Sequence, residues 1–597
     1  MLFIVLSILL LIFAGFTGWS WFQRWKLHKQ RPERYRQPRT LWLGILLLAT
    51  AVLFLFWGLS DSPDTVPDTE STVQTEATTT EPLETEPIFH WKPTSINQTN
   101  PTSQHVQWEI FSQGEPLQNF ARETPVFFGS PADYFALPGI ATFRGNHYRN
   151  GGAYGTANIH QQQMEILWDF DTQQLPGASW SGSGWTGQPL IVTWDSATRS
   201  HMDLLPEKKE KENLTEIIYA TLDGHIYFLD LEDGSPTREA LNIGLCFKGS
   251  GSLDPRGYPL LYVGAGDKNS AGEKPRMYII SLIDRQILYT YGNDDPLSQR
   301  TDNDHWCAFD SAPLVDADTD TLIWPGENGL LYTFRLNTQY ADGVISVAPD
   351  APVLTRYSTS RSNSENHWLG YEASAAIVEN YLYISENGGM FYCVDLNTME
   401  LIWAQDTKDD SNASPVFERV SETEGYLYTA PSLHWTKDEE DRGTISVYKL
   451  NAITGEILWE TPFDVYTQEG VSGGMQSTAL LGQPGTSLEG MVIVSISRAP
   501  NEGTGILVAL DTATGEEIWR YTTNYFAWSS PTAVYTPEGT GYVLLGDSGG
   551  TVHLLNSDGT LLQALKLNGN IEASPAIFGD ILVLGTREKK IYGIRLS

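Results

Sequence analysis

The chain is poor in cysteine. Among 597 residues there are three, Cys246, Cys307 and Cys393. No two are adjacent and no pair has metal-ligand spacing, which excludes a disulfide scaffold and a thiolate metal site. Positive charge is also scarce. Lys and Arg number 38 against 73 Asp and Glu, a formal net charge of −35. Seven of those basic residues fall before residue 59, so the rest of the chain carries 31 basic against 72 acidic residues. A surface that acidic repels phosphate backbones and anionic headgroups, which excludes nucleic-acid binding. After residue 160 there are almost no amphipathic segments of helix length, which excludes a helical or α/β domain there.

Long apolar runs are confined to the start. "MLFIVLSILLLIFAGFTGWSWF" (1–22) and "LWLGILLLATAVLFLFWGLS" (41–60) each have the length of a membrane-spanning helix. A signal peptide places its positive charge before the apolar core; here it follows, in 23–40. Residues 1–60 therefore predict a transmembrane helical hairpin. Its basic loop 23–40 is cytoplasmic by the positive-inside rule, which makes a multi-pass cell-membrane protein with everything after residue 60 extracytoplasmic. Residues 61–95 open with an acidic Thr/Pro/Glu-rich stretch that cannot bury enough apolar surface to fold, and predict a disordered linker.

The remainder repeats. "NAITGEILWET" (451–461), "DTATGEEIWRY" (511–521) and "LNTMELIWAQD" (396–406) share one pattern, each after an alternating strand. Small-residue strand starts recur between them: "DSAPLV" (310–315), "EASAAIV" (372–378), "NASPVF" (412–417), "QSTALL" (476–481), "WSSPTAV" (528–534) and "EASPAIF" (572–578). Four short strands per unit, repeated, predict an all-β eight-bladed β-propeller over 164–597, preceded by a lead-in at 96–163. The chain ends without a Trp-bearing fourth strand, and "MEILWDFDT" (164–172) is an orphan one. That strand is expected to close the last blade, leaving no open edge. Trp403, Trp459 and Trp519 recur at one repeat position and read as wedges between blades. Arg238, Tyr289 and Gln563 take that place elsewhere.

The pattern "LDTATGEEIWRY" with "SSPTAV", and the lead-in "ATFRGNHYRNGG" (141–152), resemble the pyrroloquinoline-quinone-type propeller repeat over about 140–597. The resemblance implies the propeller fold. That family includes calcium- and quinone-dependent alcohol and sugar dehydrogenases. It also includes non-catalytic scaffolds, such as the propeller subunit of the outer-membrane assembly machine. The dehydrogenases carry adjacent cysteines over the quinone, and this chain has none. Quinone is therefore not expected, and the resemblance points to the non-catalytic branch.

A candidate binding surface lies between each Trp strand and the next strand start. The aromatic segments "HWCAFDS" (305–311), "HWLGYEAS" (367–374) and "NYFAWSS" (524–530) offer Trp306, Phe309, Trp368, Tyr371, Tyr525, Phe526 and Trp528 as anchors for an envelope or surface protein, a glycan or a small polar ligand. The alternative is that these rings pack on neighbouring loops. The first residues of the strand starts, Asp310, Glu372, Asn412, Gln476 and Glu572, form an expected polar ring in the channel. Three of these are carboxylates, and the ring could hold a hard cation such as calcium, or simply satisfy strand ends and water. "DADTDT" (316–321) lacks the Gly and the closing Glu of a calcium loop and reads as an acidic turn. His305 and His367 have no Ser or Cys nucleophile constellation beside them, so no catalytic residue is assigned. Two functions stand: a membrane-anchored extracytoplasmic binding scaffold, or a quinone dehydrogenase or other enzyme using the acidic channel.

Overall fold

The computed structural model describes residues 89–175, 181–185, 187–300, 307–363 and 368–597. The expected transmembrane hairpin, the basic loop and most of the linker lie outside them. Among the described residues no helix is long and apolar enough to cross a membrane.

Eight antiparallel blades follow one another. Their innermost strands begin at residues 190, 252, 314, 376, 416, 480, 532 and 576. Blade 4 shows the unit: Ala376–Val378, Tyr381–Ser385, Met390–Asp395 and Glu400–Asp406. Blade 8 takes its outer strand from the other end of the propeller. Met164–Asp171 pairs with Lys590–Leu596, Trp168 opposite Gly593. Two short α-helices, Ser196–His201 and Pro206–Lys209, sit in the long connection of blade 1.

The strand starts are small because blades meet there. Ser hydroxyls run around the axis as inter-blade staples. Ser250 Oγ accepts from Gln188 N at 2.7 Å, Ser374 Oγ from Ala312 N at 2.9 Å and Ser414 Oγ from Ser374 N at 2.8 Å. Ser530 Oγ accepts from Thr478 N and Ser574 Oγ from Ser530 N. Ser574 N donates to Gly187 O, joining blade 8 to blade 1. A larger side chain would separate the backbones that these bonds hold together.

The tryptophans and the turn glycines are one device. Each Trp sits at a bulge: Trp403 opposite Cys393, Trp459 opposite Lys449, Trp519 opposite Ala509. Each indole lies over the hairpin of the next blade and donates its N–H to a turn carbonyl, Ala452, Thr512 and Ser557 respectively. A Cβ on Gly455 would come within 2.7 Å of Trp403, and one on Gly515 within 2.8 Å of Trp459. Both glycines also have positive φ, 71° and 75°. The glycine is therefore required twice, by the turn and by the ring above it. Where Trp is absent, other donors do the work. Arg238 Nη1 donates to Leu282 O at 2.5 Å between blades 1 and 2, and Gln563 Nε2 to Met164 O at 3.2 Å between blades 7 and 8.

The wedges differ in depth. Trp403 is fully buried and Trp519 only half-buried. Trp403→Ala should therefore cost about 3–5 kcal/mol and Trp519→Ala roughly 1–3 kcal/mol in chemical denaturation. Equal losses would show that the wedge acts through its hydrogen bond and not its volume.

The lead-in is part of the propeller. Gln107–Ser112 and Glu115–Leu117 extend blade 3 as two extra outer strands, and Gly139–Ile140 adds to blade 1. The linker boundary expected at residue 95 falls too late. Trp91 is fully buried against Phe417 and donates to Tyr383 Oη at 2.6 Å, while Glu379 accepts from the backbone of His90 and Trp91. An aromatic that fills a groove between two blades is ordered whatever the composition before it.

Residues 141–152 plug one end of the channel. Arg149 reaches Ala375 O at 2.7 Å, Phe143 O at 2.9 Å, Ala312 O at 2.8 Å and Thr142 Oγ1 at 2.8 Å. Arg144 reaches Pro531 O and Thr532 Oγ1, both at 2.9 Å, and Ala479 O at 3.3 Å. His147 Nδ1 lies 2.7 Å from Ile377 O. The guanidinium groups thus collect carbonyls of four blades. Burial lowers Arg149 to about 9, Arg144 to about 10 and His147 to about 4.

Candidate functional site

Above the plug the channel is a narrow cup. Phe143 forms part of the lining, with the staple serines Ser250, Ser374, Ser414 and Ser530. Asp310, Glu372, Asn412 and Gln476, each the first residue of a strand start, line the same cavity. The repeat carries them to one height in four consecutive blades. Glu572 takes the equivalent place in blade 8, but turns to Asn570 Nδ2 at 2.8 Å and Arg587 Nη1 at 3.4 Å. The space open to the centre of a water-sized sphere is about 30 Å³.

Negative charge accumulates behind this wall. Glu327 is buried, accepts from Ala308 N at 3.0 Å and pairs with Arg300 at 2.8 Å. It also lies within hydrogen-bonding reach of Glu372. Burial raises Glu372 well above the carboxylate range, and repulsion by Glu327 and Asp410 adds to it. Burial lifts Asp310 to about 8, against the pull of Lys248, with Glu327 and Asp267 reinforcing the rise. Lys248 Nζ stands 3.9 Å from Asp310 Oδ2. Burial pulls Lys248 down, but Asp310 and Glu327 outweigh it and hold the ammonium above its usual range. Among the described residues no three His, Cys, Asp or Glu side chains come together in a way that could hold a metal ion.

The cysteines take no part. All three are buried and none is in a disulfide. Burial pushes Cys246 to about 12 and Cys307 to about 11, far from the reactive thiolate.

The aromatic candidates separate. Tyr525 is 52% exposed and Trp368 39%; both present ring surface to solvent. Phe526 is half-buried, 5.6 Å from Trp528. Trp528 itself is 7% exposed and donates its indole N–H to Ser472 O. Phe309 and Tyr371, expected at the rim, are core residues. Phe309 fills space that three glycines leave: a Cβ on Gly264 would stand 2.5 Å from its Cβ, and Cβ atoms on Gly292 and Gly326 would stand 3.0 and 2.9 Å from its ring. Tyr371 is fully buried against Tyr357. Trp306, with His305 and His367, lies outside the described residues.

Two site tryptophans escaped the repeat pattern. Trp185 lines the cup and lies 5.5 Å from Trp528, with Lys248 Nζ 5.7 Å from its ring. Trp435 lies 4.8 Å edge-on to Trp368, and its neighbour His434 is 5.2 Å from the same ring. His434 Nε2 is 2.9 Å from Asp410 Oδ2. Burial lowers the imidazole, but Asp410 reverses the balance and raises it. The signal was in the sequence: "HW" at 434–435 repeats the His-Trp pair of 305–306 and 367–368, which also occurs at 90–91. It stands in a loop within blade 5, while Trp368 stands in the connection that leads into blade 4. Both kinds of loop lie at the same end of a four-stranded antiparallel blade.

Residues 503–596 match the family model described as outer membrane protein assembly factor BamB. No curated protein sequence matches significantly. Among solved structures the chain is similar to the quinohemoprotein alcohol dehydrogenase ADHIIG of Pseudomonas putida HK5, with 13% identity, 80% of this chain and 83% of that one covered, and a TM-score of 0.51. It is also similar to BamB from Moraxella catarrhalis, with 14% identity, 72% and 98% coverage and a TM-score of 0.41. A third likeness is to the quinohemoprotein alcohol dehydrogenase of Comamonas testosteroni, with 11% identity, 78% and 81% coverage and a TM-score of 0.39. The chain is an eight-bladed propeller whose last blades resemble the BamB-type repeat and whose fold resembles that of a quinoprotein dehydrogenase.

Proposed function

We propose that the protein is a membrane-anchored, extracytoplasmic binding scaffold at the cell envelope, and that it docks a protein partner on the open end of its channel. The observation that supports this reading most directly is the asymmetry of the channel. One end is filled by residues 141–152. The other is an acidic cup, with the exposed rings of Trp368 and Tyr525 and the half-buried ring of Trp435 in loops at that end of the blades. Exposed aromatic rings around a polar recess are what an interface anchor set looks like before its partner arrives. The likeness of residues 503–596 to an assembly-factor model favours a protein partner. The anchor rests on the two apolar stretches before residue 61.

The dehydrogenase alternative fits the cup poorly. A space of about 30 Å³ for water-sized centres has no room for a fused-ring quinone. The three buried cysteines include no adjacent pair to form a disulfide ring over one. The oxygen ring could still take a single calcium ion.

A photoreactive phenylalanine analogue placed at Trp435, at Tyr525 and at Tyr154 of the full chain tests the docking face in native membranes. Tyr154 is exposed at the plugged end, stacked on Phe578. Adducts to one protein are expected from positions 435 and 525 and not from 154. Adducts from 154 alone, or none from the two rim positions, would refute the docking face.

A further inference from the structure

The cup has two unlike walls. Blades 3 to 6 line it with oxygen-bearing groups, Asp310, Glu372, Asn412 and Gln476. Blade 1 lines it with the indole of Trp185, backed by Trp528. Acceptors outrun donors on the polar wall. Asp310 Oδ1 is buried and has no hydrogen-bond partner, although Lys248 stands near the other oxygen. The ring's own Asn412 amide is already engaged: its Nδ2 donates to Gln476 Oε1 at 2.9 Å. A ligand that brings N–H donors suits a wall richer in acceptors than in donors. The space is slim, so the donor must stand on a thin stem.

Resting on the docking face proposed above, we infer that the cup takes a primary ammonium on an alkyl chain, as a lysine side chain of the partner presents it. Three N–H donors meet the Asp310 and Glu372 side of the ring. The methylenes lie along Trp185, whose face also favours the positive charge. An ammonium beside an indole is already present in this wall, in Lys248 over Trp185. A carboxylate or phosphate brings no N–H donors to this wall, and a guanidinium is too broad for the space.

The test uses the full-length protein in detergent, titrated calorimetrically with N-acetyl-Gly-Lys-Gly-amide, with the same peptide carrying norleucine, and with calcium chloride. The lysine peptide is expected to bind at least about 10-fold more tightly than the norleucine peptide, a difference of about 1.4 kcal/mol. Asp310→Asn should weaken it by about 10-fold, and Gln476→Glu should strengthen it, with melting temperatures unchanged. Should Asp310→Asn fail to fold, Gln476→Lys serves instead and should abolish binding. Equal affinity for the two peptides, or no binding of either, overturns the inference. So does calcium binding that Asp310→Asn removes while the lysine peptide is indifferent to the change. If crosslinks from 435 and 525 persist when the peptide test fails, the docking face stands and the lysine chemistry alone is wrong.

Discussion

Replacing Arg149 by alanine should destabilise the propeller by about 3–5 kcal/mol, more than any single rim substitution. Arg149 is completely buried and has no carboxylate partner among its contacts; its donors go to carbonyls of blades 3 and 4 and to the plug itself. Truncation leaves Ala375 O, Phe143 O and Ala312 O without these donors, in a place water reaches poorly. Arg149→Lys should recover only part of the loss, because one ammonium cannot reproduce a planar fork that spans two blades. Urea denaturation of the detergent-solubilised protein measures both. A loss below about 1 kcal/mol for Arg149→Ala would mean that the plug rests against the blades without joining them, since ordinary surface changes fall in that range.

Deleting Met164–Asp171 should have a larger effect, loss of cooperative unfolding. This strand is paired along its length with Lys590–Leu596, and its Trp168 donates to Leu231 O in the first blade. A Cβ on Gly234 would come within 2.5 Å of that indole, so the closing strand also carries the wedge between blades 8 and 1. Without it, blade 8 exposes the edge of a seven-residue strand, a template for pairing with another molecule. Aggregation and a broad, non-cooperative melt are expected. A deletion variant that stays monomeric and melts like the parent would show that the Ser574–Gly187 contact closes the ring alone.

Much of this architecture was written in the chain. A propeller repeats one local solution, so each copy of Thr-Gly, Trp and Ser-Pro is an independent reading of the same unit, and the copies together outweigh the blades that depart from it. The polar ring was legible for the same reason: Asp310, Glu372, Asn412 and Gln476 share a repeat position, and a repeat position is a height on the axis. What the repeat could not supply was the direction of side chains in the loops between strands. There each segment occurs once, and its surroundings come from other blades. Phe309 and Trp368 stand in similar segments, yet Phe309 is drawn inward by the space that Gly264, Gly292 and Gly326 leave, while Trp368 stays exposed. Trp185 and Trp435 join the site from segments outside the repeat, brought there by chain closure and by a long loop folding back. The sequence by itself determined the number and order of blades, because those depend on local pattern. Only the tertiary structure decided which end of the channel is sealed and which aromatics face it, because burial is a property of neighbours that lie far away along the chain.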